Sequence, residues 1–328
     1  MRSTQSSDVT GRVEHSSGEA HKVPTTLVGR SATLDVARAS MNRAIRILDG
    51  GLSTALEQLG WSSGGPLWTG EILLHNPDAV TQAHRSFVDA GADIIITGSY
   101  QLSFEGGRRF GYSDHDIEQA LRASTNAARQ ACDDGTLVAA SIGPFGAHLN
   151  DGSEFTGYSG VTERALRTFH ERRLNVLLET GPDMLAIETI PEIGEAEIVL
   201  ELLRAAAPTM PVWVSFTIAE PGRVSGGGSF DDACELVAHY ASALAVGINC
   251  SHPDVVIPTL HGVHTDLPFV VYPNSGRVWD SASMSWHGGD HASSSLDVRE
   301  WVRLGARIVG GCCGYGPSDI AHIREQLG

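Results

Sequence analysis

"AIRILDGGLSTALEQLG", residues 44–60, sets a short apolar run against an amphipathic stretch, with Asp49, Gly50 and Gly51 at the junction. A β-strand followed by a helix reads this way, and the junction separates two α/β architectures. A doubly wound nucleotide-binding sheet needs a G-x-G-x-x-G turn after its first strand, and "LDGGLSTALEQLG" carries none. The same run-then-helix pattern recurs down the chain. The further runs are "DIIITGS" (93–99), "LVAASIG" (137–143), "DMLAIET" (183–189), "PVWVSFT" (211–217), "LAVGINC" (244–250), "PFVVYPN" (268–274) and "ARIVGGC" (306–312). Between them lie helical stretches such as those from Pro77, His115 and Thr162, each opening near Pro, Asp or Thr and closing near Gly. Eight strand candidates alternating with helices predict a single (β/α)8 barrel, a TIM barrel, over residues 41–328. The doubly wound sheet is the weaker alternative.

Residues 1–40 are rich in Ser, Thr and mixed charge without a sustained apolar period, and are expected to form a disordered N-terminal extension. Its acidic residues Asp8, Glu14, Glu19 and Asp35 argue against a transit peptide. Across the 328 residues, 41% are hydrophobic and 19% charged, a globular composition. No apolar run approaches the roughly 18 residues of a membrane span. With 23 Lys plus Arg against 39 Asp plus Glu, the formal charge of −16 argues against nucleic acid as a partner. The five cysteines, an odd number without a secretory signal, fit a reducing cytoplasm better than an extracellular disulfide framework. Nothing in the sequence speaks to oligomeric state.

A barrel of this kind carries its active site at the C-terminal ends of the strands. Polar residues do gather at the run ends: Asp49; Thr97 and Ser99; Glu188; Thr217; Asn249 and Cys250; Asn274; Cys312 and Cys313. The adjacent pair Cys312–Cys313 is a poor disulfide, because neighbouring α-carbons lie about 3.8 Å apart against the usual ~4.4–6.8 Å. Both sulfurs can face one centre if the chain leaves extended geometry, which the flanking Gly310, Gly311 and Gly314 permit. Two small buried thiols on a Gly-rich turn are the plainer alternative. Runs six and eight are separated by one strand, so Cys250 is within reach of the pair, and three thiolates around one point describe a zinc site with an open fourth position. Cys132 and Cys234 fall in helical stretches and read as small hydrophobes, and His252 is a weaker fourth-ligand candidate before Pro253. A thiolate-rich zinc is ill-suited to activating water but well suited to binding and deprotonating a thiol substrate.

With these residues in place the chain resembles the homocysteine S-methyltransferases, most closely the single-domain type that uses S-methylmethionine. The resemblance covers residues 44–328 and rests on "ILDGGLSTALEQLG", "LWTGEILLHNPDAV", "AGADIIITGSYQLSFEG", "SIGPFGAHLNDGSEFTGYSG", "AIETIPEIGEA", "GINCSHP", "YPNSGRVWD" and "GGCCG", of which "GINC" with "GGCC" is the specific combination. It implies that Cys250, Cys312 and Cys313 hold Zn²⁺, with homocysteine sulfur as the fourth ligand. Asp49 and Glu188 are then expected to face the homocysteine ammonium, and Gly50 with the Thr97–Ser99 turn its carboxylate. Asn249 and Asn274, at the ends of runs six and seven, join the expected substrate contacts. The reaction implied is methyl transfer from a sulfonium donor, S-methylmethionine or S-adenosylmethionine, to homocysteine, giving methionine. Betaine donation, selenocysteine methylation and a non-catalytic metal or redox-sensing protein are the alternatives. Arg277 follows "YPNSG" where an acidic residue is expected, and is expected to be paired, for example with Asp280, or to face solvent.

Overall fold

The computed structural model describes residues 44–62, 65–276, 278–280, 285–287 and 292–328. The expected extension over residues 1–40 lies outside the described residues. All eight apolar runs form strands: β1 Arg46–Ile47, β2 Ile94–Ile96, β3 Leu137–Ile142, β4 Met184–Ile190, β5 Val212–Phe216, β6 Ala243–Asn249, β7 Phe269–Tyr272 and β8 Ala306–Val309. Each pairs in parallel with its sequence neighbours, and β8 pairs with β1 through Arg46↔Ile308 and Ile47↔Val309. A parallel bridge between Leu48 and Ile94 closes β1 onto β2. The sheet is therefore a (β/α)8 barrel without an edge, and the doubly wound alternative is excluded.

The outer ring is formed by α1 Pro77–Asp89, α2 Asp114–Ala131, α3 Glu163–Glu179, α4 Ile193–Ala206, α5 Phe230–Ala238, α6 Val256–His261, α7 Val298–Arg303 and α8 Pro317–Leu327. The cap residues explain several of the starts. Asn76 accepts from the Ala79 amide ahead of Pro77, Ser113 forms a capping box with Asp116, and Thr162 accepts from the Ala165 amide. Cys132 lies at the C-cap of α2, one residue beyond the helix, and its thiol donates to the Ala128 carbonyl at 3.2 Å. Cys234 lies buried within α5.

Strand alternation divides the core in two. Residues on one face, among them Leu48, Ile94, Met184, Trp213, Tyr272 and Ile308, fill the barrel interior, while the other face packs against the helices. A filled interior confines any cavity to the barrel mouth, where the strands end. There the regular ladder breaks at β4, whose pairing with β5 shifts register between Ile187 and Ile190, so that Glu188 and Thr189 sit in a bulge.

Candidate active site

The turn after β8 is sewn to both neighbouring strand ends. The Gly311 amide donates to the Asp49 carbonyl (3.2 Å), the Cys312 amide to the Pro273 carbonyl (2.8 Å), and the Ser275 amide to the Cys313 carbonyl (2.9 Å). This departure from extended geometry lets the two adjacent side chains turn to one side. Gly50 is required opposite it, since a β-carbon there would lie 2.4 Å from the Tyr315 carbonyl oxygen. Cys250 arrives from the end of β6 with φ +44°, in the left-handed region that a non-glycine residue seldom adopts.

The three thiols meet. Cys250 Sγ lies 3.7 Å from Cys313 Sγ, Cys312 Sγ lies 3.9 Å from Cys313 Sγ, and all three sulfurs fall within 4.8 Å of one another. None is in a disulfide. Three thiolates bound at ~2.3 Å in a tetrahedral arrangement stand about 3.8 Å apart, so the spacing fits a zinc ion. Hydrogen bonds from Cys250 and Cys312 pull the Cys313 thiol well below its ordinary pKa. Cys250 is pushed up by its hydrogen bonds to Cys312 and Cys313 and by burial. His252 is not in this cluster; its Nδ1 accepts from the Asp254 amide (3.3 Å) at the start of a 3-10 turn.

Two buried carboxyl groups stand beside the sulfurs. Asp49 Oδ2 accepts from the Ile96 amide (2.8 Å), reinforcing the closure of β1 on β2. Desolvation raises its pKa well above the carboxylate range despite that hydrogen bond, and the charges of Glu188 and Cys312 add to the rise. Glu188 is raised to about 8, first by burial and then by Cys312, against hydrogen bonds from Ser141 and Tyr272. Ser141 Oγ donates to Glu188 Oε1, and the Tyr272 hydroxyl donates to Oε2 at 3.1 Å. Tyr272 in turn is held by the Trp213 indole NH (3.1 Å) and Ser215 Oγ (2.7 Å). A chain of side chains from β3, β5 and β7 thus fixes the β4 carboxyl group.

These groups line a cavity of about 790 Å³, counted to its open mouth, within the range of small-ligand sites. Asp49, Gly50, Thr97, Glu188, Cys250, Cys312 and Cys313 all line it. Trp68, Tyr100, Glu154, Phe155 and Tyr272 line it too and were not among the expected site residues. Tyr272 could have been found by alternation, since it shares a face with Val270 inside a strand-like run. Glu154 sits in an aperiodic loop that gives no such signal.

Ser99, Asn249 and Asn274 are behind the wall. Ser99 Oγ donates to the Ser141 carbonyl (2.8 Å) and is 2.7 Å from Thr97 Oγ1. Asn249 Oδ1 accepts from the Thr189 amide (2.7 Å) and its Nδ2 donates to Thr189 Oγ1 (2.7 Å), holding that β-branched residue at φ +59°. Asn274 Nδ2 donates to the Cys250 carbonyl (3.1 Å) and Oδ1 accepts from the Gly276 amide (2.9 Å). The two amides are engaged with Thr189, the Cys250 carbonyl and the Gly276 amide. Arg277 lies outside the described residues.

Residues 46–327 match the model of a family described as homocysteine S-methyltransferase. The chain is 38% identical over 304 residues to homocysteine S-methyltransferase 1 of Arabidopsis thaliana, covering 86% of this chain and 93% of that one. It is also 38% identical over 296 residues to homocysteine S-methyltransferase of Escherichia coli strain K12, covering 86% and 95%. Among solved structures, the metallated form of the Escherichia coli homocysteine methyltransferase MmuM aligns with a TM-score of 0.78 at 34% identity, covering 88% of this chain and 99% of that one.

Proposed function

The chain belongs to the homocysteine S-methyltransferase family, and from that membership we propose how its site works: Cys250, Cys312 and Cys313 hold zinc, homocysteine accepts the methyl group there, and S-methylmethionine donates it. Methyl transfer to homocysteine is the activity of the family. The observation that carries the metal reading is the convergence of three sulfurs within 4.8 Å, from two strand ends, in the lining of the cavity. Zinc, when bound, supplies a Lewis acid that holds the homocysteine sulfur as its thiolate, the nucleophilic form.

The protein's own groups bind and orient. Asp49 and Glu188, close enough to the sulfurs for each to feel the charge of Cys312, suit the homocysteine ammonium. An ammonium there offsets the repulsion between the two carboxyl groups and favours their ionised forms. Gly50 and Thr97, on the same wall, suit the carboxylate. Ser99, Asn249 and Asn274 act as positioning residues, through Thr97, Thr189 and Cys250. Trp68, Tyr100 and Phe155 give the cavity aromatic surface of the kind that attracts a sulfonium cation. In the transfer the donor S–CH₃ bond breaks and the acceptor S–CH₃ bond forms, the donor sulfur keeping the bonding pair and leaving as a neutral thioether. No side chain gains or loses a proton in that step, so in-line placement carries the rate.

No helix among the described residues is long and apolar enough to cross a membrane. A centre built on free thiols fits a reducing, cytoplasmic setting. The test is product analysis on zinc-loaded protein supplied with homocysteine or selenocysteine and with S-methylmethionine, S-adenosylmethionine or betaine in turn. Methionine formation with S-methylmethionine preferred is expected; turnover with betaine alone would overturn the donor, and absence of transfer from every donor would overturn the reading.

A further inference from the structure

Glu154 is 2% exposed, yet its Oε2 has no hydrogen-bond partner, and it lines the active-site cavity. A buried carboxyl group left unsatisfied is costly, and in a cavity wall it marks a place where a ligand supplies the missing donor.

The carboxyl group is held firmly. It rides on a single helical turn, Ser153–Thr156, entered through Gly152 at φ +85° and an Asp151 side chain accepting from the Ser153 amide (3.0 Å). That turn packs directly on the preceding 3-10 helix, where a β-carbon at Gly146 would lie 2.6 Å from the Glu154 amide nitrogen. Beyond it, the Tyr158 hydroxyl donates to Glu195 Oε2 (2.6 Å), tying the loop to α4. On the other side, the Asn150 side chain donates to the Pro66 carbonyl (3.0 Å) and accepts from Gln101 Nε2 (3.0 Å).

Glu154 stands on the loop between β3 and α3, whereas Asp49 and Glu188 stand at the ends of β1 and β4. Burial, with the charge of Asp151 adding to it, raises Glu154 to about 7. Tyr100 lines the same cavity. Desolvation first, then the charges of Glu154 and Cys250, raise its phenol well above the ordinary value. Homocysteine bound by its sulfur at the cluster has its ammonium beside Asp49 and Glu188, so the third, unpartnered carboxyl group of the cavity wall is left for the second substrate.

We propose that Glu154 recognises the α-ammonium of an amino-acid methyl donor, so that the cavity selects sulfonium amino acids over sulfonium compounds without an amine. The inference rests on the sulfonium-donor reading above and adds the group that reads the donor's far end. Methyl transfer itself does not use Glu154; its contact places the sulfonium methyl against the thiolate.

The test is a two-by-two comparison at saturating homocysteine on zinc-loaded protein: wild type and Glu154→Gln, each with S-methylmethionine and with deamino-S-methylmethionine, which has hydrogen in place of the ammonium. A charge-assisted contact predicts that wild type favours S-methylmethionine by about 10- to 100-fold in kcat/KM, and that Glu154→Gln removes most of this preference through the KM for S-methylmethionine. The wild-type arm stands even if the variant folds poorly: equal use of the two donors by wild type overturns the inference. So does a preference that survives in Glu154→Gln, or a fall of the same size with both donors. Absence of methyl transfer from either donor refutes the donor reading on which the inference rests, and the inference with it.

Discussion

Removing one hydroxyl group, with Tyr272→Phe, separates the support of the site from its chemistry. The ring is 1% exposed and sits edge-on to Trp213 with centroids 6.5 Å apart, and phenylalanine keeps that packing. What is lost is a junction at which the hydroxyl accepts from the Trp213 indole, pairs with Ser215 Oγ and donates to Glu188 Oε2. The indole NH, deep in the barrel, is left unsatisfied at about 1–3 kcal/mol. The hydrogen bond to Glu188 adds ~0.5–1.5 kcal/mol in the free protein, because a carboxyl group at about 8 is mostly protonated near neutrality. The stability loss in urea denaturation should therefore be about 2–4 kcal/mol, with an unchanged m-value. Homocysteine adds a second effect. Its ammonium ionises Glu188, so the missing contact becomes charge-assisted, worth ~1.5–3 kcal/mol, and the extra ~1 kcal/mol appears as roughly a fivefold rise in homocysteine KM. A stability loss under about 0.5 kcal/mol would refute the junction. The full stability loss with an unchanged homocysteine KM would show that Glu188 does not meet the ammonium.

Cys312→Ser should lower zinc from about one equivalent per chain to a small fraction and abolish methyl transfer, while Cys132→Ser, on a thiol bonded to the Ala128 carbonyl away from the cluster, should change neither. Metal analysis with activity checks this, and full metal retention by Cys312→Ser would rule out that ligand. His84 gives an acid-stability prediction: it is fully buried in α1, neither ring nitrogen has a partner, and desolvation lowers its pKa to about 3. Its folded value lies below the ordinary 6.5, so the unfolded chain binds the extra proton and stability falls as pH drops from 6.5 toward 3. At ~1.4 kcal/mol per unit this amounts to about 2 kcal/mol by pH 5, and His84→Leu should shrink the stability difference between pH 7.5 and pH 5 by that much. An unchanged difference would mean that His84 does not stay neutral.

The barrel was legible because each strand is buried on both faces, so a short apolar run bounded by polar residues marks it directly; β1–β8 match the expected runs, β4 and β6 each reaching one residue beyond, at Ile190 and Ala243. The cysteine centre was legible for a related reason, since a barrel gathers its strand ends at one mouth, and residues far apart in the chain are neighbours there. Tyr272, Trp213 and Ser215 were hidden inside the same runs. Apolar content locates a strand but does not separate the side chains filling the barrel from those packed against the helices. Glu154 was hidden for the opposite reason, since its loop follows no period and its burial depends on Gly146, Asn150 and Tyr158 folding over the mouth.

Asn249 and Asn274 show what position alone leaves out. Both stand at strand ends, yet each amide holds a neighbouring backbone: Asn249 grips Thr189 at φ +59°, and Asn274 grips the carbonyl of Cys250 at φ +44°. Left-handed backbone is costly for either residue, by ~1–3 kcal/mol, and persists only where the surroundings over-determine it. At Thr189 the distortion is the β4 bulge beside Glu188; at Cys250 it is the turn that brings a third sulfur to the adjacent pair. The two asparagines therefore serve the site by holding the backbone of the residues next to or within it. The spacing of the sulfurs depends on Asn274 as well as on the cysteines, because a Cys250 thiol displaced by a relaxed backbone no longer lies 3.7 Å from Cys313 Sγ.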